Sequence, residues 1–364
     1  MTVDASRYVP DFLIEIEGAT FRHGVTVDVL SLSITETVNR ADTFQFKLNG
    51  RHPKLERFPS GGELMWIDDS RFEAGKKVKI EMGYRKNRAV KLIGKVTAAT
   101  VNFPEGGSPT LTVQGQSLYN ELQRKRRSQP FASRTDSDLV AEIAGEFGLT
   151  PQVGSTGTKH ETVSYKDKSY AEILQERAER LNYEVTVKEK TLIFQRPRYL
   201  ENNSAALTLT WGRDLLSFSP RLSTSNMPTR VETRGSQTAQ GGDKTPIVGI
   251  VTADEVSARL GGRQSGPQYV KERFGENEVL SSDHRPESVE EARNMSRAKL
   301  ERASLQFVQA NGSTNGNPQL KSRTVIEVTG LGKLFSGKYY VTSTTHTIDA
   351  GGYRTTFEAK RDGV

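Results

Sequence analysis

Histidine, cysteine, paired carboxylates and glycine-rich turns are where chemistry would first be sought in this chain, and each is placed unhelpfully for it. The five histidines, His23, His52, His160, His284 and His346, are widely separated, and none falls in an HxH or HExxH spacing that would put two imidazoles on one metal. There is no cysteine, which removes disulfides, thiolate zinc sites, iron-sulfur clusters and thiol nucleophiles together. Gly330-Leu331-Gly332-Lys333 resembles a phosphate loop only superficially, because the GxxxxGK[ST] spacing is missing; with no helix expected after it, it reads as a tight β turn. No GxSxG nucleophile elbow is present. Glu15 and Glu17 alternate with Ile14 and Ile16, as on the solvated face of a strand. Trp211, followed by Gly212-Arg213-Asp214, fits a turn that fixes the start of a β unit better than a ligand-stacking platform. The sequence therefore names no catalytic, cofactor-binding or metal-binding residue, and the expectation is a protein that is not an enzyme and carries no cofactor.

The bulk numbers are consistent with that. At 364 residues the chain is long enough for two or three domains, and 34% hydrophobic with 26% charged residues is a polar but foldable balance. No apolar run approaches the length of a membrane span; Ile247 to Val251 is among the longest, so no membrane insertion is expected. The start, MTVDASRYVPDF, lacks a basic segment followed by an apolar one, so synthesis and folding in a cytoplasm are expected. The formal charge of +7 is dispersed, apart from Arg124-Lys125-Arg126-Arg127. That run contains no aromatic, and it reads as a solvated linker or a basic patch for an acidic protein rather than a nucleic-acid site.

Periodicity divides the chain into three expected domains: 1–124, 125–200 and 201–364. In the first, Phe12 to Ile16, Val25 to Ile34, Phe44 to Leu48, Val78 to Met82 and Ala89 to Ile93 read as strands. Val25, Val27 and Val29 occupy one face and Leu30, Leu32 and Ile34 the other, a parity switch that predicts a bulge. In the second, Thr135 with Asp138 and Ser169 with Glu172 cap two helices, the latter ending at Asn182, before strands through Val185 and Leu192 to Phe194. In the third, strand signals from Leu207 through Val231 precede a long insertion at about 235–318, whose 235–287 part is expected to be loop-rich and partly mobile. Ser288 with Glu291 opens a further helix with a thin apolar face, and Asn311 to Pro318 is expected to be a loop.

Residues Val96 to Val113 and Val341 to Glu358 look like two copies of one β hairpin, 245 positions apart (341 minus 96). Val96-Thr97, Thr100, Gly106-Gly107 and Thr110 match Val341-Thr342, Thr345, Gly351-Gly352 and Thr355 without a gap. Upstream, Ile80-Glu81-Met82 pairs with Ile326-Glu327-Val328, and Gly94-Lys95 with Gly337-Lys338 after a two-residue insertion.

The chain resembles the phage late control D proteins, the amino-terminal part of VgrG spike proteins, and the central baseplate hubs of extracellular contractile injection particles. The residues that carry the resemblance are RYVPDFLIEIEG (7–18), GKVTAATVNFPEGGSPTLTVQGQS (94–117), TDSDLVAEIAGEFGL (135–149), SYAEILQERAERLNYEV (169–185), WGRDLLSFSPRL (211–222) and GLGKLFSGKYYVTSTTHTIDAGGYRTTFEAKR (330–361). The resemblance implies a mainly β fold with an α+β insert, in which two similar β-barrel domains and a small helix-containing domain build a trimeric, pseudo-sixfold hub. It further implies a homotrimer that adapts a sixfold tail tube to a threefold spike, within a virion or contractile injection particle. Tail tube proteins, a separate spike protein and baseplate wedge proteins would be its partners, and nucleic acid would not be a specific ligand. The spike is expected to be separate because the chain stops at Val364, directly after the second hairpin. Arg234-Gly235-Ser236 departs from relatives that often carry an aromatic after the glycine. An alternative expectation is a peptidoglycan- or carbohydrate-binding module at 128–200, although Tyr165, Tyr170 and Tyr183 fall mostly at core positions there.

Overall fold

The computed structural model describes residues 9–20, 28–50, 66–85, 87–163, 165, 167–238, 244–281 and 285–364. The fold is mainly β with an α+β insert, and the two similar β units lie edge to edge in one sheet of thirteen strands. In the first unit, Phe44, Phe46 and Leu48 point into a core with Leu32, Ile34, Ile80, Leu111 and Val113, while the intervening Thr43 and Gln45 are exposed. Its ladder runs Val29–Thr37, Thr43–Asn49, Thr110–Ser117, Asn87–Asn102, Lys77–Tyr84 and Pro10–Ile16. The expected parity switch is a bulge between Val29 and Ser31, with Leu30 left 43% exposed; Val25 to Val27 lie outside the described residues.

The second unit repeats this ladder strand for strand: Leu215–Leu222, Val308–Asn315, Gly352–Arg361, Gly337–Asp349 and Val325–Thr329. The five shared strands have the same antiparallel neighbours, and even the irregularities recur. The hairpin bulges between Val96 and Ala98 in one copy and between Val341 and Ser343 in the other, and the Val29–Ser31 bulge recurs at Leu215–Ser217. The sixth strand differs. Pro10–Ile16 runs antiparallel to its neighbour, whereas Leu207–Thr210 runs parallel to Val325–Thr329.

These registers correct the expected alignment in two places. Ile80 faces Leu92 and Val328 faces Gly337, so the 245-residue offset runs from Leu92 to Asn102 with no insertion, and Ile80 corresponds to Val328, not Ile326. Beyond the turn the offset falls to 244, because Thr112 faces Thr100 as Thr356 faces Thr345; Thr110 therefore corresponds to Arg354, not Thr355. Gly-Gly in both turns had masked the one-residue difference in loop length.

The helices of the α+β unit start and stop as their caps dictate. Thr135 with Asp138 and Ser169 with Glu172 form reciprocal capping boxes for Asp136–Glu146 and Tyr170–Leu181, and Asn182 closes the second with φ 54. Both pack in one core with Val185, Val187, Leu192 and Phe194, and Tyr165 and Tyr170 are buried there. The described residues of the segment expected to be loop-rich are folded: Arg230–Thr238 pairs antiparallel with Lys244–Thr252 and parallel with Glu278–Ser281, while 239–243 and 282–284 lie outside the described residues. The helix Val289–Ser304 lies on that sheet, because Val231, Val251, Val256 and Leu300 make a small core of their own. Gly235 sits within a strand, where a side chain would meet Pro286 at 2.7 Å. Asn311–Asn315, expected as a loop, belongs to the main ladder, and Gly330-Leu331-Gly332 leads into one helical turn, Gly332–Phe335.

Equivalent core positions exchange volume between copies. Phe46 faces Val113 in the first unit, while Gly312 faces Phe357 in the second, where an added Cβ would lie 2.4 Å from the Phe357 ring and 3.0 Å from Phe218. Gly312→Ala is therefore expected to cost roughly 1–3 kcal/mol by overpacking. Adding Phe357→Val should recover part of that, so that chemical denaturation gives a double variant more stable than the sum of the singles. Strict additivity would contradict the packing argument.

Candidate functional site

The site of interest is the joint between the two β units, made by a single strand. Gly337–Asp349 pairs along one edge with Gly352–Arg361 from Tyr340 to Asp349, and divides its other edge between two partners. Its first half pairs with Val325–Thr329; after the bulge at Val341, Ser343–Asp349 pairs with Ser31–Thr37 of the first unit. Hydroxyls line this seam, with Thr35 Oγ1 2.9 Å from Thr345 Oγ1 and Thr37 Oγ1 3.2 Å from Ser343 Oγ. Ile348, within the seam opposite Leu32, is buried in the core of the first unit beside Tyr353, whose ring lies 5.4 Å from that of Tyr84.

Eight strands thus run side by side from Leu215–Leu222 to Asn87–Asn102. One face is filled by the two cores. The other carries small polar side chains, among them Ser217, Ser219, Asn311, Thr356, Thr43, Gln45 and Gln114. Such a surface offers hydroxyl and amide groups to water or to a passing polar chain, with Arg354, Glu358 and Lys360 adding charges of both signs.

Beneath the seam, buried charges bind the α+β unit to both β units. Lys188 donates to Asp42 at 2.9 Å and lies 3.3 Å from Glu36. Burial opposes ionisation of Glu36, but Lys188, with His346 and Lys321, outweighs it and holds the carboxyl below its ordinary range. Burial pushes Asp42 up to about 6 in spite of Lys188, with the Glu36 charge adding to the rise. Glu184 accepts from Arg323 Nε and from the Tyr340 hydroxyl, each at 2.8 Å, yet burial still raises its pKa. Within the α+β unit, Arg177 pairs with Asp136 and His160, all three buried. A cleft of about 520 Å³ opens between the three units, lined by Glu36, Lys188, Lys321 and Arg323 and, nearer solvent, Lys91 and Arg196. Its lining is rich in cations and would suit an anionic group.

Among the described residues no three His, Cys, Asp or Glu groups converge to hold a metal. His160 belongs to the Asp136–Arg177 cluster, and His346 is fixed between the Tyr353 hydroxyl at 2.8 Å and the Leu320 carbonyl at 3.0 Å. His23, His52 and His284 lie outside the described residues. Glu15 faces Lys79 across the ladder, and Glu17 accepts from the Lys77 amide. Trp211 is 51% exposed, and its turn is held by Thr210 and Asp214. In the basic run, expected to be a solvated linker or partner patch, Arg124, Lys125 and Arg126 are exposed, whereas Arg127 is tied down. Arg127 stacks on Phe131, 3.9 Å from the ring centre, and pairs with Glu142 and Glu146, while Lys125 lies over Phe147. Glu36 and His346 escaped the sequence reading, although a signal was there: each continues the parity of buried neighbours, Leu32–Ile34–Glu36 and Thr344–His346–Ile348.

The family model described as the Alg8 N-terminal domain matches residues 6–350. The chain belongs to this family. No curated protein matches it. Among solved structures, the family fold seen here is similar to the 43 kDa tail protein of prophage MuSo2 from Shewanella oneidensis, at 14% identity and TM-score 0.71, covering 96% of this chain and 98% of that one. It is also similar to a tail protein from Neisseria meningitidis, at 12% identity and TM-score 0.69, covering 98% of each chain. The E. coli c3393 protein, a component of the type VI secretion system, matches at 12% identity and TM-score 0.60 over 95% of this chain and 76% of that one. At these identities the likeness establishes a shared fold.

His346 gives the joint a pH signature. Burial lowers its pKa from the ordinary 6.5 to about 4. Between those values the unfolded chain binds a proton that the folded chain refuses, so its contribution to stability is lost as pH falls from 6.5 towards 4 and levels off below. Denaturation of the wild type and His346→Gln at pH 7 and 4.5 should find the wild type losing more, by up to about 1.4 kcal/mol per pH unit. Parallel pH profiles would contradict it.

Proposed function

We propose that this protein is a structural component of a contractile phage tail or injection particle, and that it acts as the baseplate hub between a sixfold tail tube and a threefold spike. The observation that carries the reading is the duplicated ladder joined through one shared strand. Each chain offers two near-equivalent units on eight side-by-side strands, so three chains offer six units and twenty-four strands (three times eight). Six repeats suit a hexameric tube ring, and three chains suit a trimeric spike. Closing such a sheet into a ring removes its exposed edges, whereas an open arrangement would keep adding copies.

In this reading the polar face of the sheet lines an axial channel, and the two cores and the α+β unit form the outer wall. The buried charge clusters that tie the three units together suit a part that must transmit load without changing shape. The tail proteins of similar fold from Shewanella oneidensis and Neisseria meningitidis support the assignment to a tail, and the type VI secretion component supports a contractile machine. Tube, spike and baseplate wedge proteins are the proposed partners, and the role is one of placement, with no reaction assigned. Burial of Tyr165 and Tyr170 in the α+β core leaves them unable to stack on sugar and counts against the wall-binding alternative.

Mass photometry of the full chain, alone and mixed with the tube and spike proteins of the same particle, should detect a species of three chains. A chain that stays monomeric under every one of these conditions would overturn the hub reading.

A further inference from the structure

The joint inside one chain exists in only one of the two places where the repeat could make it. Ser343–Asp349 covers its free edge with Ser31–Thr37, but among the described residues the matching edge in the first unit, Thr97–Asn102, has no neighbouring strand beyond the hairpin partner Thr110–Ser117. At the far end of the same sheet, apart from the parallel bridge of Leu215 with Trp211, Leu215–Leu222 pairs among the described residues only with Val308–Asn315 and leaves its other edge open from Leu216 to Leu222. By the ladder registers, this strand is the second-unit counterpart of Val29–Thr37, which is the strand the seam uses. The chain therefore ends in two open edges that correspond to the two halves of a joint it already contains.

We propose that a second copy of this chain closes that gap, its Leu215–Leu222 strand adding antiparallel to Thr97–Asn102 in the register of the internal seam. The inference rests on the ring-forming reading above and assigns its contact. Transposing the seam fixes the pairs. Thr345 becomes Thr100 by the offset of 245, and Thr35 becomes Arg221 by the offset of 186 that relates the two bulges (215 minus 29), so Thr100 faces the second copy's Arg221. In the same way Ile348 facing Leu32 becomes Phe103 facing Phe218 of the second copy.

The apolar residues at the two edges agree. Ile348 is buried in the neighbouring unit's core, whereas Phe103 at its matching position is 63% exposed. Leu32 is fully buried beneath its seam partner, whereas Phe218 is only half-buried, its ring 5.2 Å from Tyr339 and 6.2 Å from Phe357. Each edge thus lacks what the other supplies, an aromatic plug on one side and an uncovered aromatic core margin on the other. Pro220 lies on this edge and supplies no amide, so the new ladder has at most one donor fewer than the seam.

The chain has no native cysteine, so cross-linking tests the register cleanly. Thr100→Cys with Arg221→Cys changes two exposed residues on the full chain. Under mild oxidation, non-reducing electrophoresis should give a ladder ending at three chains, because the seam counterparts hold their hydroxyls 2.9 Å apart. Thr100→Cys with Leu222→Cys, whose side chains would lie on opposite faces, should not cross-link. Separately, Phe103→Asp should weaken self-association at least tenfold by sedimentation, while Phe103→Leu should not. Association that survives Phe103→Asp without any Thr100–Arg221 cross-link would overturn this contact and leave a ring built through other surfaces. A chain that never associates, alone or with its tube and spike partners, would remove the hub reading and this contact with it.

Discussion

One strand holds the molecule together. Gly337–Asp349 completes the second unit's ladder with its first half and is the outermost strand of the first unit's ladder with its second half, so neither β unit is whole without it. Main-chain hydrogen bonds across a seam are rigid and set register, because a slip of one residue would turn every side chain to the wrong face. Here a slip would expel Ile348 from the first core and bring His346 out of its pocket. Pinning the seam thus also pins the angle between the two units.

The charges beneath the seam extend that constraint to the α+β unit. Glu36 comes from the first unit, Lys188 and Glu184 from the α+β unit, and Arg323 and Tyr340 from the second. Buried ion pairs are weak sources of net stability, because desolvation takes back most of the Coulomb gain, but removing one partner leaves a charge stranded. Their contribution here is geometric. Three units that could pivot about short connections are held in one arrangement.

Much of this was legible in the sequence, and the rest was hidden for identifiable reasons. Both capping boxes, the αL end at Asn182 and the bulge near Leu30 follow from local residue chemistry, so they could be read in advance. The duplication was visible through Val96 and Val341, but its gaps were misplaced because glycines in a turn align equally well in two registers. Residues 235–287 looked loop-rich because the small core there rests on a few residues, Val231, Val251 and Val256, spread among polar ones. Asn311–Asn315 looked like a loop because Gly312 signals a turn when read alone; its real partner, Phe357, is 45 residues away (357 minus 312) and fills the space the glycine leaves. The charged joint was missed for the same reason: Glu36 and Glu184 look like solvated strand residues until the third unit covers them.

Amide hydrogen exchange is the most direct test of whether the seam inside the chain is repeated between chains. Exchange would be followed at Thr97–Asn102 and Leu215–Leu222 in the isolated chain and in the assembled complex. Both segments should exchange quickly in the isolated chain and become protected together on assembly, while Ser343–Asp349 is protected throughout. Assembly that leaves both edges as open as before, or protects one without the other, would contradict it.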